Sequence, residues 1–270
     1  MELTSDNLQK LLGFPFRGPD WKTRLGIGVL VALAGWVVPI LPWLVLTGYA
    51  IQIARQVAIE GREPELPPWS DWATYLIDGF KVSLARFLMS LPIVLVMLFA
   101  YALFFGGTIT GGLLSESGGR GAENVGALIA VLSSVTGVGL FMVAMPIILI
   151  VSLIVPVPTM HAAITGDLGA IFRVKEWWRL LRADIGAWAM SYLVLIGIGL
   201  IVNLVTSVAV ATVLLCLVIP IFMMAYMTYA MLIGEVVFAQ AYRRASLKLG
   251  LPPGGGAVIA PSAPTHKDIS

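Results

Sequence analysis

Along this chain, long apolar runs alternate with short segments that hold most of the charge. Four runs, at about 80–105, 125–159, 185–203 and 205–240, contain the roughly 20 apolar residues that a helix needs to cross a hydrocarbon core about 30 Å thick. None shows the two-residue alternation of barrel strands, and an isolated strand leaves its backbone groups unsatisfied in lipid. The runs therefore predict membrane-spanning helices. The second and last exceed one crossing, and each has an internal proline, Pro146 and Pro220. A kink or tilt is expected in both.

A fifth run, Leu25–Ile53, is divided by Val37-Val38-Pro39-Ile40-Leu41-Pro42. Each arm is about 14 residues, or about 21 Å of helix, which is too short to cross. Residues 25–57 thus read as a re-entrant hairpin; the alternative is a single crossing and five spans. Basic residues gather on the cytoplasmic side of membrane proteins. The hairpin topology puts 16 of the 17 Lys and Arg inside and one, Arg120, outside; the five-span topology gives 12 against five. The hairpin is favoured, with both termini cytoplasmic. The expected fold is all-α: a polytopic helical bundle of four full spans plus an N-terminal proline-broken hairpin. A cytoplasmic amphipathic N-terminus (1–24) precedes the membrane domain (25–245), and a flexible tail (246–270) follows.

Three short pieces mix tryptophan with charge, as segments at headgroup level do. They are Phe14–Trp21, the segment 66–79 with Trp69-Ser70-Asp71-Trp72, and Phe172–Arg179 with Trp177 and Trp178. The Gly-rich stretch Gly106–Asn124 reads as a flexible outer loop. Met89-Ser90-Leu91 and Met190-Ser191-Tyr192 occupy like places, each leading through an outward turn to a helix containing Pro-Ile. That is a weak internal repeat of two helical hairpins.

Composition sharpens the class. Of 270 residues, 59% are hydrophobic and only 12% charged, with a mean hydropathy of +0.93. A soluble fold carries about twice that charge. The one cysteine, Cys216, excludes a disulfide framework, a thiolate zinc site and an iron–sulfur cluster. Net charge is +2 with no basic block interleaved with aromatics, so no nucleic acid partner is expected. Residues 1–24 lack the pattern of a cleaved signal peptide.

An ionisable side chain deep in a span is the first place to look for chemistry, and the span centres hold none. Glu235 comes nearest; it reads as a boundary carboxylate paired with Arg243, Arg244 or another cytoplasmic-side arginine. His161, at the end of a span, reads as an interfacial hydrogen-bonding group. Nucleophile elbows, zinc-binding helices and phosphate loops are absent. No catalytic residue, cofactor or metal is expected, and the chain is not read as an enzyme. Asn203, Thr206 and Ser207 read as caps at an outward turn.

Asp20-Trp21, Gly48-Tyr49, Arg55, Gly61, Leu66-Pro67, Trp69-Ser70-Asp71-Trp72 and Asp78-Gly79-x-Lys81 form a spaced signature. With Ala170-Ile171-Phe172 and Ala239-Gln240-Ala241-Tyr242-Arg243, it resembles the domain of unknown function 4013 family, polytopic membrane proteins of bacteria and archaea. Ala239 stands where a family member would often have glycine. The resemblance implies a membrane fold in a prokaryotic plasma membrane and carries no activity with it.

Read as physical chemistry, the signature is an anchoring and docking collar. Trp69 and Trp72 share a helical face and can anchor at the interface while Asp71 meets water. Asp78 and Lys81, three apart, are placed to pair. The expected role is a non-catalytic structural or accessory subunit of a membrane complex. Its partners would be the bilayer and either another protein or further copies of itself. The alternative is a transporter, channel or lipid-handling protein.

Overall fold

Apolar runs of this length must close their backbone hydrogen bonds internally, and they do so as helices in the computed structural model, which describes residues 5–210 and 219–252. Among these residues there is no strand. The helices are α1 (Ser5–Gly13), α2 (Trp21–Ala34), α3 (Leu41–Arg55), α4 (Trp72–Tyr101) and α5 (Gly107–Ser117). They continue with α6 (Arg120–Ile154), α7 (Pro156–Thr165), α8 (Val174–Ala183), α9 (Ile185–Val210) and α10 (Ile219–Lys248). Four helical stretches are long and apolar enough to cross a membrane: Trp72–Glu116, Arg120–Thr165, Ile185–Val208 and Ile219–Lys248. The chain is an all-α, polytopic membrane protein.

The stretches correspond to the four apolar runs, with shifted ends. α6 passes through Pro146 without ending. Pro220 is the second residue of α10, which continues to Lys248. Cys216, in the preceding segment, lies outside the described residues, as do His266 and the rest of the tail from residue 253.

The chain divides into two units, one of Arg86–Val155 and the other of residues 1–85 with 156–270. The first holds the end of α4, a turn of wider helix at Ala102–Gly106, then α5 and α6. The stretch expected to be a loop is helical on both sides of a short turn near Gly118-Gly119. Some of its glycines, Gly107 and Gly111 among them, serve packing, while Gly106, Gly112, Gly119 and Gly121 meet nothing within 4 Å. A methyl group on Gly111 would strike the Gly126 carbonyl oxygen, and one on Gly126 would lie 2.8 Å from the Ser115 nitrogen. A methyl on Gly137 would come within 2.8 Å of the Phe104 Cβ. Backbones approach closely along this seam because side chains are missing from it.

In the second unit, α10 is the axis, packed by α2, α3, α7, α8 and α9. Leu232, Ile233 and Val236 of α10 are fully buried. α2 and α3 fold back on each other: Gly28 meets Leu46, and Gly35 sits against the Trp43 ring. Ala32, Leu46 and Met224 make a buried cluster where both arms meet α10. The reversal is a tight turn in which the Leu41 N–H donates to the Pro39 carbonyl at 3.0 Å. It holds Ile40 at φ 77°, ψ −62°, the strained three-residue turn that β-branched residues avoid. The tip is apolar and exposed, with Trp36 at 68% and Val37 at 83%.

Candidate functional site

The signature residues converge where α3 crosses the start of α4. A methyl on Gly48 would strike the Tyr75 carbonyl, and one on Gly79 would strike that of Leu44. With the backbones in contact, the next polar positions face each other. Arg55 Nη1 and Asp78 Oδ2 lie 2.5 Å apart, and Gln52 Nε2 donates to the same oxygen at 2.8 Å. Arg55 Nε also donates to the Ala163 carbonyl of α7 at 3.0 Å. Gln52 and Arg55 are one helical turn apart, hence on one face. Asp78 therefore pairs with Arg55 rather than with Lys81, which is exposed.

Beside the crossing lies an aromatic stack. Tyr49 and Trp69 are parallel at 4.0 Å between centroids, and Tyr75 meets both edge-on. Their polar ends hold the Pro67-Pro68 turn: the Tyr49 hydroxyl donates to the Pro67 carbonyl at 2.9 Å and the Tyr75 hydroxyl to that of Pro68 at 2.8 Å. Trp69 Nε1 donates to the Arg24 carbonyl of α2 at 2.8 Å. Trp69 thus ties both ends of the hairpin together, while Trp72 stays 45% exposed. Exposed Asp71 caps α4, accepting from the Thr74 N–H at 3.2 Å.

His161 is the hub of a second polar group, 2% exposed on α7. Its Nε2 lies 2.9 Å from Glu176 Oε2 and its Nδ1 2.9 Å from the Tyr242 hydroxyl. With the Glu176 carboxylate as acceptor, the Nε2–H donates to it, and the neutral ring then accepts a hydrogen bond from the Tyr242 hydroxyl at Nδ1. Arg173 links Glu176 to Asp167 at 3.3 and 3.1 Å. On α8, Trp177 is buried and donates to the Ile171 carbonyl at 3.0 Å. Its neighbour Trp178 faces outward beneath Arg182. This group joins α7, α8 and α10.

The far end of α10 carries the remaining ion contacts. Glu235 is 7% exposed. Arg243 Nη1 lies 3.3 Å from the Ala58 carbonyl, against the end of the wider turn that follows α3. Gly61, at φ 68°, closes that turn, and any side chain there would strike the Arg243 guanidinium. Arg244 and Lys248 flank Asp184 Oδ2 at 3.3 and 3.0 Å. Asp184 also accepts from the Ala187 N–H at the start of α9. Burial opposes its ionisation, but the Lys248 and Ala187 hydrogen bonds and the Arg244 charge hold its carboxyl below the usual range.

Between α1, the loop after α3 and the end of α10 lies a cavity of about 400 Å³. Lys10 and Arg17 line one side, Glu63 and Glu65 another, and Arg243 and Arg244 a third. The N-terminal segment forming its wall is well seated: Leu11 and Phe14 are 3% exposed, and the Tyr229 hydroxyl donates to the Leu12 carbonyl at 3.0 Å. Trp21 closes the segment edge-on against Phe16.

Sequence reasoning found Tyr49, Arg55, Trp69, Asp78, His161, Tyr242 and Arg243, but it paired Asp78 with Lys81 and did not say which of the others meet. Gln52, Glu176 and Asp184 carried no local signal beyond being polar residues beside apolar helices. Among the described residues, no three His, Cys, Asp or Glu side chains are grouped to hold a metal. Asn203, Thr206 and Ser207, expected as caps at a turn, instead lie within α9, which runs on to Val210; Ser207 donates to the Asn203 carbonyl, Ser191 to those of Ala187 and Val237, and Thr206 faces the Met223 sulfur at 3.8 Å.

No curated protein and no solved structure matches the chain. A family model does, over residues 31–211, under the description "Protein of unknown function (DUF4013)". The match takes in the hairpin from the middle of α2, the α3–α4 crossing, and His161 with Glu176. Trp21, Glu235, Tyr242 and Arg243 lie outside it. Over that span the chain belongs to the DUF4013 family of proteins of unknown function.

Proposed function

We propose that this protein is a non-catalytic scaffold or accessory subunit of a membrane complex. In this reading it sits in the cytoplasmic membrane of a prokaryote, with both termini and the charged collar on the cytoplasmic side. One observation carries it: the unit Arg86–Val155 offers more apolar surface than one bilayer crossing uses. From Val125 to Ile154, the end of α6, there is no ionisable residue, a helical length of about 45 Å against a core of about 30 Å. Only 6% of the most apolar window of Trp72–Glu116, and likewise of Arg120–Thr165, is buried within the chain, against 50% for Ile219–Lys248. Tilt accommodates part of such an excess, and association with another helix covers more.

The hairpin topology belongs to the same proposal. Arg24 and Trp69 are hydrogen-bonded, and the segments 10–18 and 61–65 line one cavity. The two ends of the hairpin therefore meet at one place, and its tip is apolar and exposed. A second reading, a transporter, channel or lipid-handling protein, is favoured by the cavity alone.

The test is purification from native membranes at natural abundance, with identification of the chains that accompany it. A stoichiometric partner or a defined homo-oligomer is expected; a lone monomer in every mild detergent would sink the scaffold. For topology, a cysteine at Gln9 in a Cys216→Ala background should resist an impermeant thiol reagent on intact cells. Labelling from outside would establish five spans.

A further inference from the structure

The cavity of about 400 Å³ has no part in the proposed scaffold. The lining holds five Lys and Arg side chains against two carboxylates, Glu63 and Glu65. Two of those cations have acids beyond the lining: Arg62 pairs with Glu60 and Arg244 with Asp184. Arg243 rests on backbone carbonyls. Lys10 and Arg17 are exposed and have no carboxylate within 4 Å among residues 9–210 and 219–252. Beneath them, Leu11, Phe14 and Val57 form an apolar floor, each at most 5% exposed.

A concave site of this size falls in the range that holds small molecules, about 300–1,000 Å³. Unbalanced guanidinium and ammonium groups bind phosphate oxygens through charge-assisted hydrogen bonds. Basic pockets beside membrane helices suit anionic head groups for the same reason. The apolar floor adds a place for carbon next to the charge. We propose that this cavity binds a phosphate-bearing anion, with the phosphate between Lys10 and Arg17 and the uncharged part over Leu11 and Phe14. The source of that phosphate is the head group of an anionic phospholipid or a free phosphate compound. Occupancy would fasten α1 to α10, since Lys10 and Arg243 line the cavity from opposite elements.

The full chain, purified in a non-ionic detergent, is titrated with dioleoyl phosphatidylglycerol, with dioleoyl phosphatidylcholine and with inorganic phosphate. Bound ligand is counted by native mass spectrometry, and affinity is taken from the titration. Phosphatidylglycerol should bind at least about tenfold more tightly than phosphatidylcholine, and binding should weaken as salt rises. Displacement of the lipid by millimolar inorganic phosphate identifies a free phosphate compound as the source; resistance to it identifies the lipid. Lys10→Gln with Arg17→Gln, both exposed, should lower affinity at least about tenfold at unchanged thermal stability. Glu63→Gln with Glu65→Gln should raise it. The proposal is overturned if neither phosphatidylglycerol nor phosphate binds above the phosphatidylcholine level, or if both double variants bind as the wild type does.

Discussion

Gly48 and Gly79 bring α3 and α4 into backbone contact: a methyl group on Gly79 would lie 2.8 Å from the Gly48 nitrogen and closer still to the Leu44 carbonyl. Neither neighbour is a flexible side chain, so the helices themselves would have to separate. Gly48→Ala and Gly79→Ala are each expected to cost at least about 2 kcal/mol, near the upper range for overpacking. Separation would also loosen the Arg55–Asp78 pair and the Tyr49–Trp69 stack. Thermal unfolding in detergent checks this, with Gly26→Ala as a control where a methyl group meets nothing. Equal melting temperatures for the control and the two variants would contradict the close crossing.

Arg55 and Asp78 share a site in which the guanidinium keeps 22% and the carboxylate 10% of its surface. Removing one partner strands the other, at a cost of about 3 kcal/mol, the low end for buried pairs. Asp78→Ala and Arg55→Ala should each destabilise by that amount, and the double variant by less than their sum. A double-mutant cycle on urea or thermal unfolding measures the coupling. Lys81→Ala should change stability by less than about 0.5 kcal/mol, as exposed positions do.

Ile40 occupies a positive φ that L side chains rarely adopt. Glycine in place of alanine ordinarily weakens a fold, through the greater entropy of its unfolded chain. At this position the order should invert. Ile40→Gly is expected to be about 1 kcal/mol more stable than Ile40→Ala, since only the alanine keeps the strain. Both variants remove the same exposed side chain, so comparing their unfolding midpoints isolates the backbone.

Asp184 carries the acid sensitivity of the α9–α10 contact. Its folded carboxyl titrates below its unfolded value of about 3.9. The stabilisation is therefore complete above about pH 5 and is lost as the pH falls through the unfolded and then the folded value. Asp184→Asn keeps the acceptor for the Ala187 N–H and removes the charge that Lys248 and Arg244 face. Its melting temperature should start lower at pH 7 and fall less between pH 5 and 3. Asp71, also depressed by its Thr74 hydrogen bonds, continues to contribute, so the variant flattens the acid limb without abolishing it. Parallel limbs in variant and wild type would remove Asp184 from the account.

The Gly-rich stretch 106–124 shows how one composition supports opposite readings. Glycine lowers helix propensity by about 1 kcal/mol per residue, which favours a loop when the stretch stands alone. Glycine also lets two helices touch, and the gain from that contact exists only once α6 lies beside α5. Nothing within the stretch announces where its partner is. The same holds for His161, whose partners Glu176 and Tyr242 lie 15 and 81 residues away. The signature from Gly48 to Lys81 was more legible because its members meet one another across a single helix crossing.

By itself, the amino-acid sequence determined that this is a helical membrane protein, where its four long apolar helices lie, and that its polar residues gather at helix ends. Those properties follow from hydropathy and chain length, which act on each run separately and need no partner. The tertiary structure decided which charges meet: Arg55 with Asp78, Asp184 with Arg244 and Lys248, His161 with Glu176 and Tyr242. It also decided that residues 10–18, 61–65 and 240–247 enclose one cationic cavity. Such pairings depend on the few-ångström geometry of helix crossings, which glycines such as Gly48 and Gly79 permit, and that geometry exists only once the helices are packed.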